Sequence, residues 1–524
     1  MEALVSAVLG DLISRSISFA IDKCYRGRRD PPTIEDNLQR LRRVLLRIRI
    51  IVEEAERRRV TNRAMLRQLR LMREGLYRGY YVLSACNSYY NAQDGPDVSR
   101  HDHRSSFALS QFNPAKRVCT LSSMASTKMS LLASGTGHEA EAELQEVLAG
   151  LERMANDMKE LVLFLSSYPP LSREPYSGHL WLQNRMFGRE AEQERIISFL
   201  LEPEPPGAGN LGVLPVIGRA RVGKSTLLEH VCFDERVRKH FSSIIFLSEA
   251  DMGDGKVSPH YLGGKGIIKH RDLDTAGKSL VVIDLVGGVD DITLQRIMLS
   301  TLRGARTAHV SKIVVTSRSE NIASFGTTEA LQLKRLPREA FWYFFKTIAF
   351  GSTDAEDHPE LAAVCMEVAG QLNRSFIAAN LIGSLLRANP CSQFWRKVLT
   401  RLKDFTRLHF LLFGEHPSDL IAKDRPAYLW RLASKTDTSL KVCRFYQACS
   451  AREHDLPKIT VNDVQIGSAS PRGKFEVLAW RSQIPPYYSY VFSCEVQAPS
   501  SSLRIPARNK QIRRQQQPPR LNLM

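Results

Sequence analysis

Nowhere do the 524 residues place two cysteines at C-x-x-C spacing. Cys24, Cys86, Cys119, Cys232, Cys365, Cys391, Cys443, Cys449 and Cys494 are scattered, several of them inside apolar helical patterns. This excludes a zinc ribbon or knuckle and predicts reduced thiols in a cytoplasmic or nuclear setting. An uninterrupted apolar run of membrane-spanning length is also missing. The N-terminal stretch MEALVSAVLGDLISRSISFAIDKCY is broken by polar residues, carries Glu2 and Asp11, and has no basic leader. It reads as a bundle helix ahead of a signal peptide or a membrane-touching segment. Finally, aromatic residues are not interleaved with the basic ones. The net charge of +18 comes from 73 Lys+Arg against 55 Asp+Glu, concentrated in residues 23–78 and after Arg504. Because these arginines fall on the polar sides of helical patterns, a solvated or domain-facing surface is read ahead of nucleic-acid or anionic-membrane binding, which is kept as a third reading together with a peripheral-membrane location.

What the sequence does have is VLPVIGRARVGKST at Val213–Thr226. An apolar run breaks at Gly218, and Gly223, Lys224 and Ser225 follow at phosphate-loop spacing. The run predicts a buried strand, and KSTLLEHVC predicts a helix whose first amides face the loop. In such a loop the backbone N–H groups of Gly218 to Thr226 cradle phosphates, Lys224 neutralises the terminal ones, and the Ser225 hydroxyl ligates Mg²⁺. Arg219 and Arg221 stand where small residues suit the loop, so a position needing positive φ would be strained there.

The remaining text divides into several domains. Thr33, with Asp36 three residues on, predicts a capped helix start. Leu38, Leu41, Leu45, Ile48, Val52 and Ala55 then form a seam, and Met65, Leu69, Met72, Leu76 and Leu83 form a second one. With a further helix at 137–166, residues 1–166 are predicted to be a helical bundle holding a long polar loop at about 87–136, in which His101 and His103 read as loop histidines without companion ligands. Apolar strands recur at Ser243–Leu247, Leu280–Ile283, Lys312–Thr316 and Ala330–Leu333, so residues 180–335 predict an α/β domain with a mostly parallel sheet. Residues 336–436 read as helical. KITVNDVQI, GKFEVLAW and YYSYVFSCEV predict a small β-rich module at 437–498, and residues 499–524 predict a disordered basic tail. The fold class is thus multidomain, mainly α plus α/β.

LVVID puts Asp284 at a strand end, the place of an acid that holds Mg²⁺. The next residue, Leu285, lacks the second acid that efficient hydrolysis needs. KIVVT leads to Arg318, whose guanidinium could read a γ-phosphate.

In this order the motifs resemble those of plant NB-ARC disease-resistance proteins of the coiled-coil type, especially shortened forms without leucine-rich repeats. Gly188-Arg189-Glu190-Ala191-Glu192 is similar to the motif that frames the adenosine, DERVRKHF to the text after the loop helix, LVVID to the second kinase motif, and SKIVVTSR to the sensor strand. CMEVAGQLNRSFIAAN occupies the place of the Gly-Leu-Pro-Leu-Ala motif, with Phe376 at the proline that packs on the base. Departures accompany the likeness. Leu285 replaces the second aspartate, no Met-His-Asp motif follows residue 400, and GEHPSD does not fit it. In the third bundle helix the expected acids are Arg78, Tyr80, Tyr81 and Ser84, which weakens a charge-mediated dock. No 20–29-residue leucine repeat is visible in the last hundred residues.

The resemblance implies an ADP- or ATP-binding conformational switch in plant defence, with Mg²⁺ at Ser225 and Asp284 and at most weak ATPase activity. Arg189, Gly218, Gly223, Lys224, Ser225, Thr226, Arg318 and Phe376 would contact the nucleotide. Other immune receptors, a guarded host protein or a second copy would pair with the helical bundle. The alternative is a nucleotide-degenerate scaffold acting through that bundle alone.

Overall fold

The computed structural model describes residues 33–93, 137–168, 186–203, 211–248, 267–269, 278–285, 310–432, 439–448 and 456–497, apart from scattered single positions. The N-terminal apolar run, the polar stretch after Gln93 with its histidines, and the basic tail lie outside them.

The bundle comprises α1 (Ile34–Glu56), α2 (Arg63–Gln93), α3 (Gly137–Asn156) and α4 (Lys159–Ser166). Its start is as predicted: the Thr33 hydroxyl accepts from the Asp36 amide at 3.2 Å, and the Asp36 carboxylate accepts back from the Thr33 amide at 3.2 Å. Both seams are buried together with Leu144, Leu148 and Leu161. Close approach depends on Gly79, where a Cβ would fall 2.5 Å from Leu45 Cδ2 and 2.8 Å from Leu151 Cδ1. The second bundle helix runs on to Gln93, beyond the predicted start of the loop.

The α/β domain follows with α5 (Glu190–Leu201), β1 (Gly212–Gly218), α6 (Lys224–Cys232), α7 (Glu235–His240), β2 (Ser243–Ser248), β3 (Ile267–Lys269), β4 (Ser279–Asp284), β5 (Val310–Ser317) and β6 (Leu331–Leu333). The sheet order is β3-β2-β4-β5-β1-β6. All neighbours are parallel except β3, a short antiparallel edge strand absent from the sequence reading. Each predicted strand is present and extended by a residue or two or trimmed at one end. One face packs Leu214, Val216, Val282 and Val314 against α5, α6 and α7; the other packs Val213, Ile217, Ile283 and Val315 around Ile322. Burial on both faces is why these strands read as continuous apolar runs.

Four helices, α8 (Arg338–Phe350), α9 (Pro359–Gln371), α10 (Phe376–Arg387) and α11 (Ser392–Phe413), then enclose a core that includes Trp342, Phe345, Phe394 and Trp395, and α12 (Pro417–Ala422) follows. The last module is an antiparallel sheet in the order β7-β8-β10-β9, from β7 (Ala427–Leu429), β8 (Ser439–Ala448), β9 (Lys474–Arg481) and β10 (Ser489–Gln497). It therefore begins earlier than expected. KITVNDVQI contains no strand: Val461–Ile466 is a helix, α13, because Thr460 and Asp463 form a complete capping box.

The bundle docks on the helical domain through aromatic rings. Tyr77 is buried 4.8 Å from Tyr343 and 5.3 Å from Phe187, and Tyr81 meets Trp342 edge-on at 5.6 Å between centroids. Arg73 pairs with Glu190 at 3.3 Å and Glu56 at 3.2 Å. Two of the four positions where acids were expected, Tyr80 and Tyr81, thus carry rings into the dock, and the charge contacts run from Arg70 and Arg73 of the bundle to Glu192 and Glu190. Among the described residues no helix is long and apolar enough to cross a membrane.

Candidate functional site

The carboxyl ends of β1, β4 and β5 form one edge of the sheet, and the loop after β1 leads straight into α6. Counting parallel strands alone, β1 sits between two strands that come later in the chain, so the crevice beside it is a topological switch point, where ligands bind in open α/β sheets. Gly218, the last residue of β1, has no room for a side chain: a Cβ there would lie 2.6 Å from the Leu333 carbonyl oxygen. Gly223 caps α6 at φ 97°. Between them Arg221 adopts φ 58°, the strained position anticipated for a loop short of glycine. Two more non-glycine residues share that backbone region: Asn373 at 49° and Arg374 at 55°, in the turn that precedes Phe376.

Lys224 is the chemical centre. Its ammonium is buried and turned onto the carbonyls of Gly218 at 2.7 Å and Arg219 at 3.0 Å. Burial pushes its pKa down to about 8; Arg318 pushes the same way, and Asp284 opposes both. Asp284 accepts a hydrogen bond from the Thr316 hydroxyl at 2.5 Å, which fixes its carboxylate at the strand end. The Arg318 Nε is buried and meets no hydrogen-bond partner among the described residues. The Lys224 ammonium thus lies within electrostatic reach of both Asp284 and Arg318 in a partly desolvated crevice at a helix N-terminus, a setting that favours an anion. Among the described residues no cluster of three His, Cys, Asp or Glu could hold a metal by itself. A divalent cation would therefore need oxygen ligands from elsewhere, phosphate being the natural source.

Arg189 lies inward. It is buried at the start of α5, donates to the Lys334 carbonyl at 2.6 Å, and approaches Glu192 at 3.5 Å. Its guanidinium thus ties α5 to the end of β6, and its buried Nε meets no hydrogen-bond partner among the described residues. Leu285 is fully buried with Val213 and Ile283, and its amide donates to the Thr316 carbonyl at 3.0 Å. Phe376, at the first turn of α10, is half-buried and stands edge-on to Phe344 at 5.1 Å.

Phe376 also lines a cavity of about 140 Å³ bounded by Arg221 and Val222 of the loop, His416, and Phe445 and Phe492 of the last module. His416 belongs to GEHPSD, which does not fit the Met-His-Asp motif. Here its ring bonds the Ser418 hydroxyl at 2.7 Å and the Gln371 carbonyl at 3.0 Å, and burial lowers its pKa. Beside it Arg335 bridges Asp419 at 2.5 Å and Asn373 at 2.9 Å. GEHPSD is thus a brace for the left-handed turn before Phe376, a role that no spacing rule reveals. Relief of that strain makes Arg374→Gly an expected stabiliser, by about 1 kcal/mol, readable as a higher denaturant midpoint.

No protein-family model matches the sequence. It is similar to the disease resistance protein RGA2 of Solanum bulbocastanum, 25% identical over 276 residues that make up 50% of this chain and 28% of that protein. The RPP13-like protein 1 of Arabidopsis thaliana is 22% identical over 385 residues, 70% of this chain and 34% of the relative. The disease resistance protein RPM1 of Arabidopsis thaliana is 22% identical over 277 residues, 45% of this chain and 28% of the relative. The chain thus spans about a third or less of the length of these curated relatives. A solved structure of Drosophila ORC bound to DNA covers 49% of this chain and 75% of that chain at 14% identity with a TM-score of 0.30, a likeness that carries no argument.

Proposed function

We infer that this chain, a relative of the plant NB-ARC disease resistance proteins, binds ADP or ATP with Mg²⁺ at the crevice between β1 and α6 and uses occupancy to bias its domain arrangement in defence signalling. One observation carries the reading: the buried Lys224 ammonium sits on the phosphate loop within electrostatic reach of Asp284 and of Arg318, whose buried Nε meets no hydrogen-bond partner among the described residues. Lys224 and the loop amides from Gly218 to Thr226 would hold the phosphates, Ser225 and Asp284 would ligate Mg²⁺, and Phe376 would lie against the base. Arg318, on the next strand, would respond to the outermost phosphate. When bound, Mg²⁺ supplies charge neutralisation between phosphate oxygens. Leu285 leaves no second acid at the end of β4, so the reading is binding with little turnover. Pairing with another receptor, with a guarded host protein or with a second copy is assigned to the bundle, whose exposed Leu46, Ile50 and Leu71 support it.

The test is equilibrium binding of a fluorescent ADP analogue with Mg²⁺ to the full chain. Lys224→Ala should weaken it by about 100-fold, the scale of a lost charge-assisted contact. The pH dependence has a fixed sign. With Lys224 depressed to about 8 in the free protein and raised by phosphate, binding above that pH takes up a proton. Affinity should therefore fall by roughly fivefold from pH 8 to pH 9. Binding indifferent to Lys224 would overturn the assignment and favour the scaffold reading.

A further inference from the structure

The phosphate loop and the first turns of α6 are gripped by the C-terminal sheet at three points. Trp480, Tyr490 and Phe445 form one stack across β9, β10 and β8, with centroids 5.4 Å and 5.7 Å apart and planes within 6° and 14°. The guanidinium of Arg221, the loop residue at φ 58°, lies 4.0 Å from the Phe445 centroid and ends that stack. The Tyr490 side chain lies within interaction reach of the Thr226 side chain, and the Tyr488 hydroxyl donates to the Glu229 carboxylate. Arg221, Thr226 and Glu229 flank Lys224 and Ser225, so the sheet engages the phosphate-binding segment on both sides of its functional residues. All three rings of the grip, Phe445, Tyr488 and Tyr490, are buried, and Arg221 itself keeps an exposed face.

A cavity of about 140 Å³ beside Phe376 is bounded by Arg221 and Val222 of the loop, by Phe445 and Phe492 of the sheet and, for most of its wall, by residues of the helical domain.

We propose that the C-terminal β-sheet is an intramolecular cap on the phosphate loop, with Phe445, Tyr488 and Tyr490 holding the loop closed and yielding when an adenine nucleotide is admitted. The proposal rests on the nucleotide reading of the same site and adds its regulation. Loop opening and cap release become one equilibrium, so nucleotide affinity is reduced by the fraction of molecules in the capped state. The strained φ of Arg221 belongs to this device: the cation–π contact with Phe445 offsets the backbone cost, and release of the ring frees the loop to relax. Glu229 reinforces it. Burial pushes its pKa up to about 7, with Asp284 adding to the rise and the Tyr488 hydrogen bond opposing it.

The experiment uses the full chain carrying Phe445→Leu, Tyr488→Phe and Tyr490→Phe together, which keeps the sheet apolar and removes the grip. Amide hydrogen exchange at Ala220–Thr226 without nucleotide and the affinity for Mg-ADP are both measured against the wild type. Exchange at least tenfold faster and affinity at least tenfold tighter support the cap. Unchanged loop exchange overturns it whatever the affinity, and faster exchange with unchanged or weaker affinity also overturns it, leaving a structural contact. Should neither protein bind Mg-ADP in a Lys224-dependent way, the nucleotide reading fails and the gating role falls with it. Far-UV circular dichroism and amide exchange in β9 and β10 guard against simple unfolding, and Tyr490→Phe alone, which keeps the stack, should give a smaller change in the same direction.

Discussion

Leu285→Asp is expected to lower the melting temperature of the α/β domain by roughly 10 °C without creating an efficient ATPase. The substitution restores the acid that the resemblance leads one to look for, but the site will not take it. Leu285 is fully buried beside Val213, Ile217 and Ile283, and Ile322 closes the same cluster. A lone carboxylate there costs on the order of 3–5 kcal/mol. In a domain of this size each kcal/mol shifts the midpoint by about 2–4 °C. Differential scanning fluorimetry with a phosphate-release assay reads both outcomes. An unchanged midpoint with rising hydrolysis would show that the side chain can turn to the crevice.

The second large effect concerns the dock of the bundle. Tyr77→Ala removes a buried ring that touches Phe187 and Tyr343, and large aromatic truncations of this kind cost about 3–5 kcal/mol. Arg73 remains paired with Glu56 inside the bundle, so the bundle keeps its own core while its hold on the helical domain weakens. The expected result is a split transition in calorimetry, with the bundle uncoupled from the rest, and faster exchange in α8. A single transition at the wild-type temperature would contradict an aromatic dock.

The sequence made some of this legible and hid the rest for physical reasons. The strands of the parallel sheet announced themselves because both faces are buried, and the phosphate loop because glycine and lysine punctuate it. Thr33 with Asp36 marked a helix start in the same way that Thr460 with Asp463 did, yet the second pair was overlooked because the alternation in KITVNDVQI suits a strand and the helix is short. SLKVCRFYQA became a strand through pairing with β10, a partner distant in sequence. The inward turn of Arg189 is set by the Lys334 carbonyl, and local text says nothing of it. Likewise Tyr80 and Tyr81 are visible in the sequence as missing acids, while the role of Tyr77, Tyr80 and Tyr81 as a dock depends on Trp342 and Tyr343 across the interface. Arg221 combined both cases: its strain could be anticipated, its seat on Phe445 could not.

The central claim is that the crevice around Lys224 holds an adenine nucleotide. The most direct measurement is to purify the full chain and its Lys224→Ala variant in parallel, denature both, and identify the released small molecules by chromatography and mass spectrometry. The account predicts ADP or ATP at near-equimolar amount from the wild type and a trace from the variant. Equal amounts from both, or none from the wild type even after incubation with Mg-ADP, would contradict it.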